Sequence, residues 1–279
     1  MQNPFPQQDD QYIFGGVADT PRLIDQHTVF VKATKLFSPH FHPNGDETVV
    51  DLGCGPGSWV LDVAYQYPEM GIIGLDIDEQ TVNYAMARAA TSGTQNATFE
   101  VHNITTTLPF RDESVDYVNL SIGGSYLLKE QWPRLFAECH RILRPGGWFR
   151  SIEALSFQTS SFACHRLWML LLQTMEKDGR RYVELAPLLR PLLTQAGLTP
   201  TLLSVHVIDF SQDSPDHKMM AEDYYVGAHL GMAFTLKYNL ASKEDLEKLI
   251  EEAQKDMIFP DFWGLVFLSD ISAQRPAAK

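Results

Sequence analysis

Three glycines spaced two apart, Gly53, Gly55 and Gly57, follow directly on an apolar run and lead into Ser58 and Trp59. Glycine lacks the Cβ that would keep the backbone from turning tightly and from approaching a bound molecule. A helix starting just beyond presents unpaired amides to a negative group. Asp51 enters this turn from the preceding strand. A second acid, Asp76, ends the next apolar run in Gly74-Leu75-Asp76-Ile77-Asp78. A carboxylate at that position is placed to accept hydrogen bonds from two ribose hydroxyls, whereas Asp78 is better placed as a helix cap. A dinucleotide fingerprint would carry glycine where this chain has Ser58, which disfavours hydride transfer.

Other chemistry-bearing residues are scattered. Cys54, Cys139 and Cys164 are odd in number and far apart, with no CxxC, so neither a disulfide framework nor a thiolate metal site is expected. His40 and His42 form a His-x-His pair in a proline-flanked loop without a third ligand, so no metal is expected. The formal net charge of -13 argues against a nucleic-acid partner, which would call for a basic patch. No stretch is apolar enough to span a bilayer, and the first residues lack a basic region followed by an apolar one. A cytoplasmic chain is therefore expected, in which the sequon at Asn96 has no meaning.

These residues need a scaffold, and its pattern is legible from position 48 onward. With 44% hydrophobic and 20% charged residues the chain can build one sizeable core. Strands are expected at 48–52, 71–76, 99–102, 115–121 and 148–154, alternating with helices at 58–67, from 78 onward, and at 131–143. Such alternation implies a parallel sheet with helices on both faces. Before it lie a polar tail at 1–11, expected to be disordered, and a helix at about 20–37. After it come a markedly apolar helix at 161–178, a helix at 183–196, strands at 201–210 and 262–271, and a helix at 241–255 whose Ser242 and Asp245 form a capping pattern. The expected partition is a tail and helical lid over 1–37 and one α/β domain over 38–279, elaborated at about 157–197 and 211–257.

In order, DLGCGPGSW, GLDID, HNITTTLPFRDESVDYVNLS and RILRPGGWF resemble the motif set of class I S-adenosylmethionine-dependent methyltransferases. RLIDQHTVF, GPGSWVLDVAYQYP, PGGWF and the long late insertion further resemble the group related to fungal secondary-metabolism regulators and trans-aconitate methyltransferase. The resemblance implies a Rossmann-like α/β fold: a seven-stranded, mostly parallel sheet with a reversed last hairpin, an N-terminal helical segment and a helical cap. It implies S-adenosylmethionine as cofactor. Asp51, Gly53, Cys54, Gly55 and Gly57 would shape the methionine end, and Asp76 with Ile77 would hold the ribose. Asn103 and Ile104 would line the adenine, with the Asn103 carbonyl oxygen accepting from the exocyclic amine. Ser121 would lie below the sulfonium, and Gln26 could close over it.

The implied activity is methyl transfer to O, N or C of a small organic metabolite, within secondary metabolism; the alternative is a cofactor-binding protein with a non-methylating or regulatory role. No catalytic residue is assigned. Candidates are His27 at the mouth, Tyr126 after the fourth strand, and Glu153 at the expected end of the fifth, where open α/β sheets face their crevice. Acceptor choice is expected to lie in the second half, in the apolar helix around Trp168 to Leu172 and the insertion from Ser211 to about Met257, with His217, Tyr224, Tyr225, His229 and Met232 enclosing the substrate. The competing reading of that insertion is a dimer interface, so a monomer or a homodimer is expected.

Overall fold

The computed structural model describes residues 19–180 and 185–277. The expected tail at 1–11 and the first two residues of the helix expected at 183–196 lie outside this range. Seven strands form one sheet in the order β3-β2-β1-β4-β5-β7-β6. They are β1 (Thr48–Leu52), β2 (Gly71–Asp76), β3 (Ala97–Val101), β4 (Val115–Ser121), β5 (Leu143–Thr159), β6 (Thr199–Asp209) and β7 (Gly264–Gln274). The first five run parallel, with Val50 beside both Ile73 and Val118, and β7 runs antiparallel between β5 and β6. The reversed last hairpin expected from the sequence is present.

Among the described residues eight α-helices pack around the sheet: α1 (Thr20–Thr34), α2 (Ser58–Gln66), α3 (Glu79–Ser92), α4 (Trp132–Ile142), α5 (Phe162–Lys177), α6 (Leu185–Gln195), α7 (His217–Lys237) and α8 (Lys243–Met257). Apolar residues in β1, β2 and β4 are buried on both faces, as a doubly covered parallel sheet demands. One face packs on α4 and α6 through residues such as Phe136 and Leu189. The other packs on α2 and α3 through Trp59, Val63 and Val82. A third apolar cluster lies beyond the strand ends, where α5, α7 and α8 meet the far parts of β5 and β7. No helix among the described residues is long and apolar enough to cross a membrane.

Two departures from the sequence reading bear on the site. Strand β5 does not stop at residue 154. It continues to Thr159, pairing Phe157 with Val266 beyond a register shift between Ala154 and Ser156. Helix α7 falls within the elaboration at 211–257 expected to be helical, but the sequence places only the helix at 241–255 there. Apolar residues surround it on all sides, so no helical stripe stands out, and Gly227 and Gly231 lower the intrinsic propensity of its middle.

Helix α1 is anchored from beneath. Arg150 of β5 has no solvent exposure and pairs bidentately with Asp270 of β7, Nε to Oδ1 at 3.0 Å and Nη2 to Oδ2 at 2.7 Å. Its remaining N–H groups donate to the carbonyls of Thr34, Lys35 and Leu36 at the end of α1. These are orphan carbonyls of a helix terminus, answered here by a buried cation, with the dipole favouring the positive charge. Trp59 Nε1 donates to the Leu36 carbonyl as well, at 2.9 Å. Arg150→Ala would leave the buried Asp270 with only His206 Nε2, 3.2 Å from its Oδ2, and would orphan the carbonyls at the end of α1, and we expect a loss of about 3–5 kcal/mol. Urea unfolding of the variant measures it, and a loss below about 1 kcal/mol would refute the anchoring role.

Candidate active site

The strand ends of β1, β2 and β4 open into a cavity of about 690 Å3, in the ~300–1,000 Å3 range of small-molecule sites. Its lower end is built by the turn after β1. Gly53 has φ +71°, and a Cβ there would sit 2.5 Å from the Tyr126 hydroxyl. Asp76 holds this turn in place: Oδ2 accepts from the Gly55 amide at 2.8 Å and Oδ1 from the Asp78 amide at 3.0 Å. Burial raises the Asp76 carboxyl above the ordinary carboxylate range. Asp78 caps α3 as expected, accepting from the Thr81 amide at 2.6 Å. Asp51 is buried, and burial pushes its carboxyl up to about 7 against a hydrogen bond from Asn119 Nδ2 at 2.8 Å.

Of the residues expected at the lower end, Asp51, Gly53, Cys54, Gly55, Asp76, Ile77, Asn103, Ile104 and Ser121 line the cavity, as does Gln26 from α1. Gly57 does not. It sits at φ +77° where a Cβ would lie 2.6 Å from the Phe99 ring, so it serves the close packing of α2 on the sheet. Asn103 lines the cavity, but its carbonyl oxygen already accepts from the Thr105 amide (3.0 Å) and hydroxyl (2.8 Å). A turn of its own thus occupies the oxygen expected to meet an adenine amine.

The three catalytic candidates part company. Glu153 is buried and is not among the cavity-lining residues. Because β5 runs on to Thr159, residue 153 lies inside the strand instead of at its tip. Its carboxylate accepts from the amides of Gly123 (3.0 Å) and Gly124 (2.9 Å) and from Ser151 Oγ (2.8 Å), and burial pushes it up to about 7. It holds the 3-10 turn Gly123–Ser125 that carries Tyr126 to the cavity. The Tyr126 hydroxyl faces the Leu52 and Ser121 carbonyls at 3.4 Å each, and burial first, then Glu153, Asp76 and Asp51, raise it well above the usual phenol value. His27 lines the rim, with Nε2 2.8 Å from Asp62 Oδ2.

The upper end is walled by α1, α5, α7 and the far parts of β5 and β7. Tyr224 and Met232 line it as expected; His217, Tyr225 and His229 do not. His217 Nδ1 lies 2.8 Å from the Phe210 carbonyl, and Tyr225 packs on His229. Residues that sequence reasoning missed join the wall. Asp223 accepts from Arg22 Nη1 at 2.7 Å and from Gln26 Nε2 at 3.0 Å, clasping α1 to α7. Phe157 adds aromatic surface beside Trp168, which lines the cavity from the apolar helix where the sequence places a wall. Asn119 was also missed, although an amide inside the apolar strand YVNLS is itself a signal of a buried polar partner. Among the described residues no cluster could hold a metal ion, and His40 instead stacks on Trp148.

The lower end suits a nucleoside bearing a cation. Asp51, Asp76 and Asp78 supply negative charge, Ile77 and Ile104 supply apolar surface, and the buried Thr81 Oγ1 in the wall has no hydrogen-bond partner among the described residues.

A profile described as a methyltransferase domain matches residues 49–147, which carry this turn and both acids. The secondary metabolism regulator laeA of Aspergillus fumigatus is 28% identical over 154 residues, 52% of this chain and 37% of that protein. Demethylmenaquinone methyltransferase of Symbiobacterium thermophilum is 32% identical over 168 residues, 55% of this chain and 63% of the other. The chain thus spans less than two thirds of the length of these curated relatives. Among solved structures, geranyl diphosphate C-methyltransferase from Streptomyces coelicolor A3(2), in complex with Mg2+, geranyl diphosphate and S-adenosyl-L-homocysteine, superposes with a TM-score of 0.52. At 15% identity, over 93% of this chain and 82% of that one, the likeness is one of fold. Ordered motifs, matched domain and sheet topology agree: residues 49–147 carry a methyltransferase domain, set in the sheet of the class I S-adenosylmethionine-dependent methyltransferases.

Proposed function

We propose that the protein transfers the methyl group of S-adenosylmethionine to O, N or C of a small organic molecule. The observation that carries this reading is that one cavity joins the acid-lined turn after β1 to a separate, largely apolar compartment under α7. When bound, the cofactor supplies an electrophilic methyl on a sulfonium; the carbon–sulfur pair returns to sulfur as an acceptor lone pair takes the methyl. For the protein the task is then alignment and exclusion of water, and no protein nucleophile is needed. Asp76 orients the ribose, the turn at Gly53 leaves room for the methionine end, and Asp51 with Asp76 sets a negative field against the cationic centre. Tyr126 stays protonated at neutral pH and Glu153 is committed to backbone amides, so neither serves as a base. His27, held by Asp62 at the rim, is the group placed to take a proton from an acceptor that carries one. In this reading α1 and the elaborations at 157–197 and 211–257 form the lid and acceptor walls.

Two outcomes test it. Asp76→Ala removes charge-assisted hydrogen bonds worth about 1.5–3 kcal/mol, so S-adenosylmethionine should bind roughly ten- to a hundredfold more weakly by calorimetry. Unchanged affinity in a folded variant would sink the assignment, as would failure of the wild type to release S-adenosylhomocysteine with any member of a metabolite panel.

The second concerns pH. Free Asp51 titrates near 7, and a bound cation favours its ionised form, so its bound-state value lies lower. Binding then releases a proton, and affinity tightens as pH rises toward 7 and levels off above 8. Between pH 6 and 8 the wild type should gain about tenfold relative to Asp51→Asn, since a group at 7 goes from about one tenth to nine tenths ionised. Parallel profiles for the two proteins would show that Asp51 does not face the cation.

A further inference from the structure

The compartment under α7 has a chemistry of its own, and it rests on the methyl-transfer reading above. Its polar groups are turned into the protein. The Tyr224 hydroxyl donates to the Cys164 carbonyl at 2.5 Å, Ser125 Oγ to the Ile122 carbonyl at 2.8 Å, and Thr235 Oγ1 to the Gly231 carbonyl at 3.1 Å. Gln131 Oε1 accepts from the Leu128 amide at 2.8 Å. The charges are matched from within as well. Arg22 pairs with Asp19 at 2.6 Å and with Asp223 at 2.7 Å, and Arg180 pairs with Asp178. An anionic group entering here would compete with carboxylates already seated on both guanidiniums. It would leave one of those acids buried without its cation, with no more than a neutral donor such as Gln26 on Asp223 or Tyr238 on Asp178, which is unfavourable.

What faces the space is carbon. Phe157 stacks on Tyr224 with centroids 4.9 Å apart and leans on Trp168 at 5.8 Å, forming a continuous aromatic wall. Tyr224 belongs to α7, whose cavity-lining residues run from 220 to 235 with the spacing of one helix face. Large residues sit at both ends of that face, and Gly227, Ala228 and Gly231 occupy its middle. Packing does not demand glycine at 231: a Cβ there would meet Leu171 Cδ1 at 3.5 Å, an ordinary contact. Glycine inside a helix is less stable than alanine. The position therefore gives up helix stability and leaves open space on the cavity side.

We propose that the methyl acceptor is a lipophilic molecule whose skeleton carries no charge at neutral pH, seated against the Phe157–Trp168–Tyr224 aromatic cluster and the small residues that follow Tyr224 on α7. Gly231 sets how thick that skeleton can be.

The test reads binding, not turnover, in the full chain saturated with S-adenosylhomocysteine. Nile red, a neutral apolar fluorophore, should bind with increased emission. The uncharged 4-octylphenol should displace it at least tenfold more effectively than octyl phosphate, both kept below their aggregation limits. Gly231→Phe should weaken Nile red binding by tenfold or more. Gly231→Ala, which fits beside Leu171, should raise the melting temperature by roughly 2–4 °C while weakening Nile red binding severalfold. Octyl phosphate displacing the dye as well as or better than the phenol would overturn the proposal. So would an Ala variant that binds the dye like wild type, whether or not the Phe variant folds. S-adenosylhomocysteine release is scored separately, so a chain that binds the dye as expected yet methylates nothing would refute methyl transfer while leaving the compartment's preference established.

Discussion

A guanidinium with no access to water has to satisfy five N–H groups from the protein itself, and Arg150 does so at the junction of three elements. Asp270 neutralises it from the neighbouring strand, and the last carbonyls of α1 complete its shell. Breaking any part leaves charge or backbone polarity stranded in low dielectric, so the arrangement is held as a unit. Its consequence is positional. The end of α1 is fixed against β5 and β7, the rest of the helix projects over the strand ends, and Arg22, Gln26, His27 and Phe30 reach the cavity. Without that anchor the lower end of the site would have a floor and no roof.

The floor works by a related constraint, backbone held by carboxylates. Asp76 binds the amides of Gly55 and Asp78, and Glu153 binds those of Gly123 and Gly124. Each acid rigidifies a turn at a strand end, and burial raises both carboxyls. The two differ in what remains exposed. Asp76 lines the cavity and can act on a ligand, while Glu153 is enclosed and acts only through the turn it holds.

How much of this the sequence discloses depends on the range of the interaction. The turn at 53–57, the cap at Asp78 and the alternation from 48 to 154 are local, set by residues within a few positions of one another, and they are read correctly. The end of β5 is not local. Phe157 belongs to the strand because Val266 pairs with it from the far side of the insertion, and missing that pairing put Glu153 at a tip where it does not sit. Helix α7 escaped because the surface it buries includes a cavity, so small residues stand where a core-facing helix would show large ones. The Arg22–Asp223 contact joins residues 201 positions apart, with nothing in either neighbourhood to announce it. Asn103 shows the opposite case: its partner is two residues away, and that short-range turn competes with the ligand role the sequence suggests for it.

Asp223 is a single carboxylate receiving both Arg22 and Gln26, so the roof over the nucleoside end and the wall of the acceptor compartment share one latch. Lifting α1 away from α7 breaks an ion pair and an amide contact in one event, and a half-open arrangement gains nothing from either. The two ends of the cavity are thereby tied together: a displacement of α1 from α7 on that side widens both at once.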